Sequence, residues 1–104
     1  MDLGIKGKLA LVTASSDGMG RNVAHTLAAE GADLVLFSRS EDKLRTVCHE
    51  IEARHGVKAT AVAGDMTSHD DVLRLAQTLE SLGGPDILVL VSARPPNPLR
   101  ATLE

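Results

Sequence analysis

The chain has 104 residues, a net charge of −3 and 43% hydrophobic residues, enough for one compact domain that buries about 60–65% of its unfolded surface. No apolar run of about 18 residues occurs, so no helical membrane span is expected. Scattered basic residues leave no electrostatic footprint for nucleic acid, and the single cysteine, Cys48, excludes an intramolecular disulfide. Met1-Asp2-Leu3-Gly4 lacks the basic segment and apolar core of a secretion signal, so a cytoplasmic protein is expected. His25, His49, His55 and His69 show no ligand spacing with Cys48, and no metal site is expected.

After a short polar lead-in, Lys8–Thr13 reads as a buried strand because it is a continuous apolar run. A turn of small and polar residues follows, and apolar residues at helical spacing predict a helix over Met19–Glu30, with Met19, Val23 and Leu27 on one face and Ala24 and Ala28 beside them. Strand, tight turn and helix start form the geometry in which backbone N–H groups meet a phosphate. Gly18 and Gly20 allow a sharp turn and a close ligand approach. The helix end adds about 0.3–1 kcal/mol of attraction for an anionic group. The alternative is a strand-to-helix turn that holds nothing.

Gly31 is placed for a left-handed cap, and Asp33–Phe37 is a second continuous apolar strand, suited to a parallel sheet covered on both faces. A second helix is expected from Ser40 or Glu41 to His55, with acidic residues in its first turn, Arg54 and His55 in its last, and Leu44, Val47, Cys48 and Ile51 facing inward. Lys58–Ala63 is shorter and alternating, as an edge strand would be. Ser68 with Asp71 makes a capping-box pattern at the start of a third helix, whose inner stripe is Val72, Leu75, Ala76 and Leu79 up to Leu82. Gly83-Gly84-Pro85-Asp86 ends that helix, and Ile87–Val91 is a fully apolar fourth strand. This alternation predicts an open parallel α/β sheet with right-handed crossovers.

Thr13-Ala14-x-x-x-Gly18-Met19-Gly20 resembles the Thr-Gly-x-x-x-Gly-x-Gly fingerprint of the short-chain dehydrogenase/reductase family, Rossmann-fold oxidoreductases that use NAD(P)(H). Ala14 departs from the pattern by one methyl group. The resemblance covers nearly all of this chain but only the first part of a family member. It implies strand order 3-2-1-4, a single partial NAD(P)-binding Rossmann domain over residues 1–104, and a cofactor lying over the C-terminal strand ends. Implied cofactor-binding residues are Thr13, Ser15, Ser16, Gly18, Met19, Gly20, Ser38, Arg39, Asp65, Met66, Ser92 and Ala93. Among these, Gly18 and Gly20 would face the pyrophosphate, Asp65 would accept a hydrogen bond from the adenine amino group, and Ser92 and Ala93 would border the adenosine-side ribose; as bare sequence, Asp65 is equally a turn former.

In NAD-specific Rossmann proteins an acidic residue after the second strand accepts the ribose 2′-hydroxyl, and it would repel the additional phosphate of NADP. Here that place holds Ser38 and Arg39, a hydroxyl and a guanidinium that suit a phosphate, with Arg39 19 residues past Gly20. A solvated arginine at a strand end is the alternative, and Asp17 cuts the other way, since members preferring NADP often carry a basic residue near it. NADP(H) rather than NAD(H) is the expected cofactor.

Where the family has Asn-Asn-Ala-Gly after the fourth strand, this chain has Leu90-Val91-Ser92-Ala93 followed by Arg94-Pro95-Pro96, similar to 3-oxoacyl-carrier-protein-reductase-like members. The family's catalytic residue is a tyrosine in a Tyr-x-x-x-Lys pair with a serine upstream, and this chain has no tyrosine at all. Three readings follow: the cofactor half of an NADP-dependent ketone or 3-oxoacyl reductase, a free-standing nucleotide-binding module without chemistry, or an interaction protein that keeps the fold alone. A homo-oligomer that covers the exposed fourth-strand edge, or else aggregation, is expected.

Overall fold

In the computed structural model, which describes residues 4–13 and 18–91, strands and helices alternate along the chain. The order is β1 (Leu9–Thr13), α1 (Gly18–Ala29), β2 (Asp33–Ser38), α2 (Glu41–His55), β3 (Ala59–Ala63), α3 (His69–Ser81) and β4 (Ile87–Val89). The strands form one parallel sheet in the order β3-β2-β1-β4, as the resemblance implies. Parallel pairing needs a crossover after each strand, and the three helices supply it.

Two apolar layers enclose the sheet. On one face Ala10, Val12, Leu34 and Leu36 pack with Ala24 and Ala28 of α1 and Leu44, Val47, Cys48 and Ile51 of α2. On the other, Leu11, Val35, Phe37 and Val62 pack with Leu75 and Leu79 of α3. This accounts for the unbroken apolar runs of β1 and β2, which have no solvated face. Burial pushes the Cys48 thiol up to about 11, with Glu52 adding to the shift, so the group behaves as a small core residue.

The helix ends follow the local signals. Gly56 caps α2 in the left-handed region and its N–H donates to the Glu52 carbonyl at 3.1 Å. The inner faces differ in detail from the stripes read in the sequence. Gly20, Ala24 and Ala28 form the buried line of α1, while Val23 and Leu27 flank it and Met19 is 71% exposed. The sheet-facing line is the one of smallest side chains, which lets the helix axis approach the strands. In α3, Leu75 and Leu79 are buried and Val72 is half-buried, whereas Ala76 is exposed on the flank.

The largest departure is β4. Its ladder with β1 ends at Val89 rather than Val91. Past that point a side chain takes over: the Thr13 hydroxyl donates to the Val91 carbonyl at 3.2 Å and accepts the Val91 N–H at 2.9 Å. At the other end Asp86 binds Leu9 twice, its carboxylate accepting the Leu9 N–H at 2.9 Å and its N–H donating to the Leu9 carbonyl at 2.8 Å.

Candidate functional site

Because every strand is parallel, Thr13, Ser38 and Ala63 end at the same edge of the sheet. The chain leaves β1 toward β2 on one side, and the β3–β4 connection later crosses to the other. The strand order therefore reverses at β1, where such sheets form a crevice beyond the strand ends.

Thr13 stands at that reversal, 5% exposed, with its hydroxyl bracing Val91. Gly18 opens α1 with a φ of 55°, a left-handed conformation that carries a steric cost for a residue with a Cβ. The first N–H groups of the helix have no intrahelical acceptor. The first turn of α1 carries no acidic side chain, whereas those of α2 and α3 do. Ser15, Ser16, Ser92 and Ala93, together with Ala14 and Asp17, lie outside the described residues.

The next strand end holds Ser38 and the exposed Arg39. The Ser38 carbonyl accepts the Gly64 N–H at 2.9 Å, so the turn after β3 is tied to the end of β2. Asp65 and the exposed Met66 follow on that turn. The Asp65 Oδ1 accepts the Thr67 N–H at 2.9 Å and the Thr67 hydroxyl at 2.8 Å. These donors, and then the nearby Arg39 guanidinium, hold the Asp65 carboxyl below the usual range, so it is an anion at neutral pH. The structure thus brings Arg39 and Asp65 into electrostatic range at adjacent strand ends.

Two residues in this region escape sequence reading. Gly64 has no room for a side chain: a Cβ would lie 2.9 Å from the Asp71 Cβ and 3.0 Å from the Phe37 ring. Asp71 reads as the second half of a capping box, but only one half forms. The Asp71 N–H donates to the Ser68 hydroxyl at 3.3 Å, while the Asp71 carboxylate accepts the Asp65 N–H at 2.9 Å instead of capping Ser68. The capping pattern was the available signal, and it marked the right residue for a different contact. Gly64→Ala is expected to lower stability by about 1–3 kcal/mol, because the crowded atoms belong to a buried ring and a hydrogen-bonded carboxylate. Thermal melts of the two chains check it, and an unchanged melting temperature would contradict the crowding.

A second polar cluster lies between α1 and α2, around an open cleft of about 370 Å³ lined by Arg21, His25, Glu50, Ala53 and Arg54. Arg21 binds both Glu50 oxygens at 2.6 Å and holds that carboxyl low. The His25 Nδ1 and His55 Nε2 lie 3.2 Å apart, within hydrogen-bond distance, with ring centroids at 5.4 Å and the rings edge-on at 65°. Burial, and then His25 and Arg54, push the His55 pKa down. Among the described residues, no group of three or more His, Cys, Asp or Glu gathers to hold a metal, and no helix is long and apolar enough to cross a membrane.

A parallel sheet ordered 3-2-1-4 with helices on both faces is a Rossmann-type arrangement. The sequence profile of short chain dehydrogenases matches residues 8–101, and the chain belongs to that family. It is 39% identical over 92 residues to a very-long-chain 3-oxoacyl-CoA reductase of Pyricularia oryzae, covering 86% of this chain and 27% of the relative. It is 33% identical to a 3-oxoacyl-[acyl-carrier-protein] reductase of Aquifex aeolicus, covering 86% of this chain and 36% of the relative. The crystal structure of L-sorbose reductase from Gluconobacter frateurii, complexed with NADPH and L-sorbose, superposes with a TM-score of 0.88 at 37% identity, over 93% of this chain and 37% of that one. The chain thus spans between about a quarter and two fifths of the length of these proteins.

Proposed function

We propose that the chain is the cofactor-binding portion of an NADP(H)-dependent short-chain dehydrogenase/reductase acting on a ketone, 3-oxoacyl or alcohol substrate. The catalytic serine, tyrosine and lysine of such an enzyme lie outside these residues. The observation that carries the reading is the exposed Arg39 at the C-terminal end of β2, in the place where an acidic side chain would select NAD. A guanidinium offers a fork of donors to a 2′-phosphate, and a carboxylate would repel it. The likeness to a reductase solved with NADPH supports this choice.

In this reading the N–H groups of Gly18, Met19 and Gly20 receive the pyrophosphate, aided by a first helical turn that carries no acidic side chain. Thr13 and Ser38 border the crevice, Thr13 by bracing β1 against Val91. Asp65, ionised and fixed by Thr67, accepts the adenine amino group, with the exposed Met66 beside the base. Ser15, Ser16, Ser92 and Ala93 complete the set. The cofactor supplies the hydride, and the residues of this chain bind and orient it.

Replacing Arg39 with Ala tests the assignment by direct titration with both cofactors. NADPH affinity is expected to fall about 3- to 10-fold, the range of an exposed charge-assisted contact, while NADH affinity stays nearly constant. Equal losses for the two cofactors would contradict it. The absence of any tyrosine favours a second reading, a nucleotide-binding module that performs no chemistry. The coding DNA downstream of Glu104 separates the two: an in-frame serine followed by Tyr-x-x-x-Lys supports the first.

A further inference from the structure

Asp71 is the point at which the turn carrying Asp65 is gripped. Its Oδ2 accepts the Asp65 N–H at 2.9 Å, and its Oδ1 accepts from the Arg74 guanidinium at 3.2 Å. The other terminal nitrogen of Arg74 donates to the Ala63 carbonyl. One carboxylate and one guanidinium therefore hold the peptide groups on both sides of Gly64. The Gly64 N–H is held in turn by the Ser38 carbonyl, next to Arg39. The Asp65 carbonyl is also taken, accepting the Ser68 N–H at 3.0 Å. The Asp71 side chain is itself set by crowding, since its Cβ and Cγ fill the space that a Gly64 side chain would need.

We propose that Asp71 is the positioning residue for the Asp65 carboxylate, and that it thereby sets how strongly the site distinguishes adenine from other purines. The inference rests on the reading of Asp65 as acceptor for the adenine amino group. Both hydrogen bonds given to the Asp65 side chain go to Oδ1, from Thr67. Its direction is therefore determined by the backbone of the turn, which Asp71 holds at the Asp65 N–H itself. A hydrogen bond to the base loses strength steeply once its angle and length are disturbed, so a displaced turn weakens adenine selection before it weakens phosphate contacts elsewhere.

The test uses the full chain and two probes, NADPH and its hypoxanthine analogue, in which a carbonyl replaces the 6-amino group. The wild-type chain is expected to prefer NADPH about tenfold, the value of one hydrogen bond to a charged acceptor, and Asp65→Ala to bring that ratio close to one. Asp71→Ala and Asp71→Glu should each reduce the ratio below about threefold. Asp71→Asn, which keeps an oxygen acceptor at the same reach, should retain most of it. A merely structural role for Asp71 would lower the melting temperature and leave the ratio alone, so melts are recorded for every variant. Should Asp71→Ala fail to fold, the Glu and Asn variants decide, because both keep an acceptor in the first turn of α3. If Asp65→Ala abolishes the ratio but Asp71→Glu retains the wild-type value, the positioning role is overturned and the reading of Asp65 stands. A wild-type ratio near one, or no binding of either probe, overturns the reading of Asp65 and the inference with it.

Discussion

Mixed with NADPH and a ketone, the purified chain is expected to consume no cofactor above the rate without protein. Reduction of a carbonyl needs a proton donor held at the substrate oxygen, and a positioned acid contributes about 10²- to 10⁴-fold. The catalytic residue of short-chain dehydrogenases is a tyrosine in a Tyr-x-x-x-Lys pair, and the sequence has no tyrosine. Its lysines do not substitute. Lys8 and Lys58 immediately precede β1 and β3, at the edge of the sheet opposite the crevice, and Lys6 lies in the lead-in before them. Lys43 sits exposed in the first turn of α2. Absorbance at the reduced nicotinamide band checks the expectation across several ketones and 3-oxoacyl thioesters. Steady, protein-dependent oxidation of NADPH coupled to alcohol formation would contradict it.

The second large effect concerns association. In this sheet β4 is an edge strand, paired with β1 alone. Ile87–Val89 carries no charge, proline or glycine that would protect such an edge. The structure also shows which face is bare. Leu88 is the register partner of Leu11, which α3 helps to bury, so Leu88 points to the same layer, yet it is 56% exposed. Leu90 is 67% exposed. Leaving a leucine wet forfeits about 1.5–3 kcal/mol, a large share of the 5–15 kcal/mol typical of a domain. A homo-oligomer through this edge is our proposal for the chain at micromolar concentration. Leu88→Lys should return it to a monomer, measured by light scattering. A charge at Val89 is the poorer probe, since Val89 packs against the α1–α2 core and its loss would also unfold the domain. A wild-type chain that runs as a clean monomer with a cooperative melt would contradict the proposal.

The strands and helices were legible because their signals are local. Continuous apolar runs appear at β1 and β2 because helices cover both faces, and Gly56 and Ser68 punctuate the chain as caps do. The inner line of α1 was less legible. Apolar periodicity weights Met19, Val23 and Leu27, whereas close packing of a helix on a sheet selects the small Gly20, Ala24 and Ala28. The extent of β4 depended on a partner rather than on its own residues: its ladder stops at Val12 and Val89, one residue before β1 ends, and the Thr13 hydroxyl takes up the Val91 N–H and carbonyl instead. At the strand ends, Arg39 became a candidate through its place after the second strand and Asp65 through the family resemblance. The roles of Gly64 and Asp71 were not, because they arise from the packing of α3 against a turn seven residues or fewer away. The His25–His55 contact joins two helices, 30 residues apart, and no spacing rule along one element could have shown it.

Binding of NADP(H) at the C-terminal edge of this sheet is our proposal. The most direct measurement is a titration of the isotope-labelled chain with NADPH, followed through its backbone amide resonances. Saturable shifts are expected at Thr13, Gly18 to Gly20, Ser38, Arg39 and Gly64 to Met66, with the amides of His25, Glu50 and Arg54 on the α1–α2 side little moved. Shifts confined to that α1–α2 cleft, or no saturable shift at millimolar NADPH, would contradict the account.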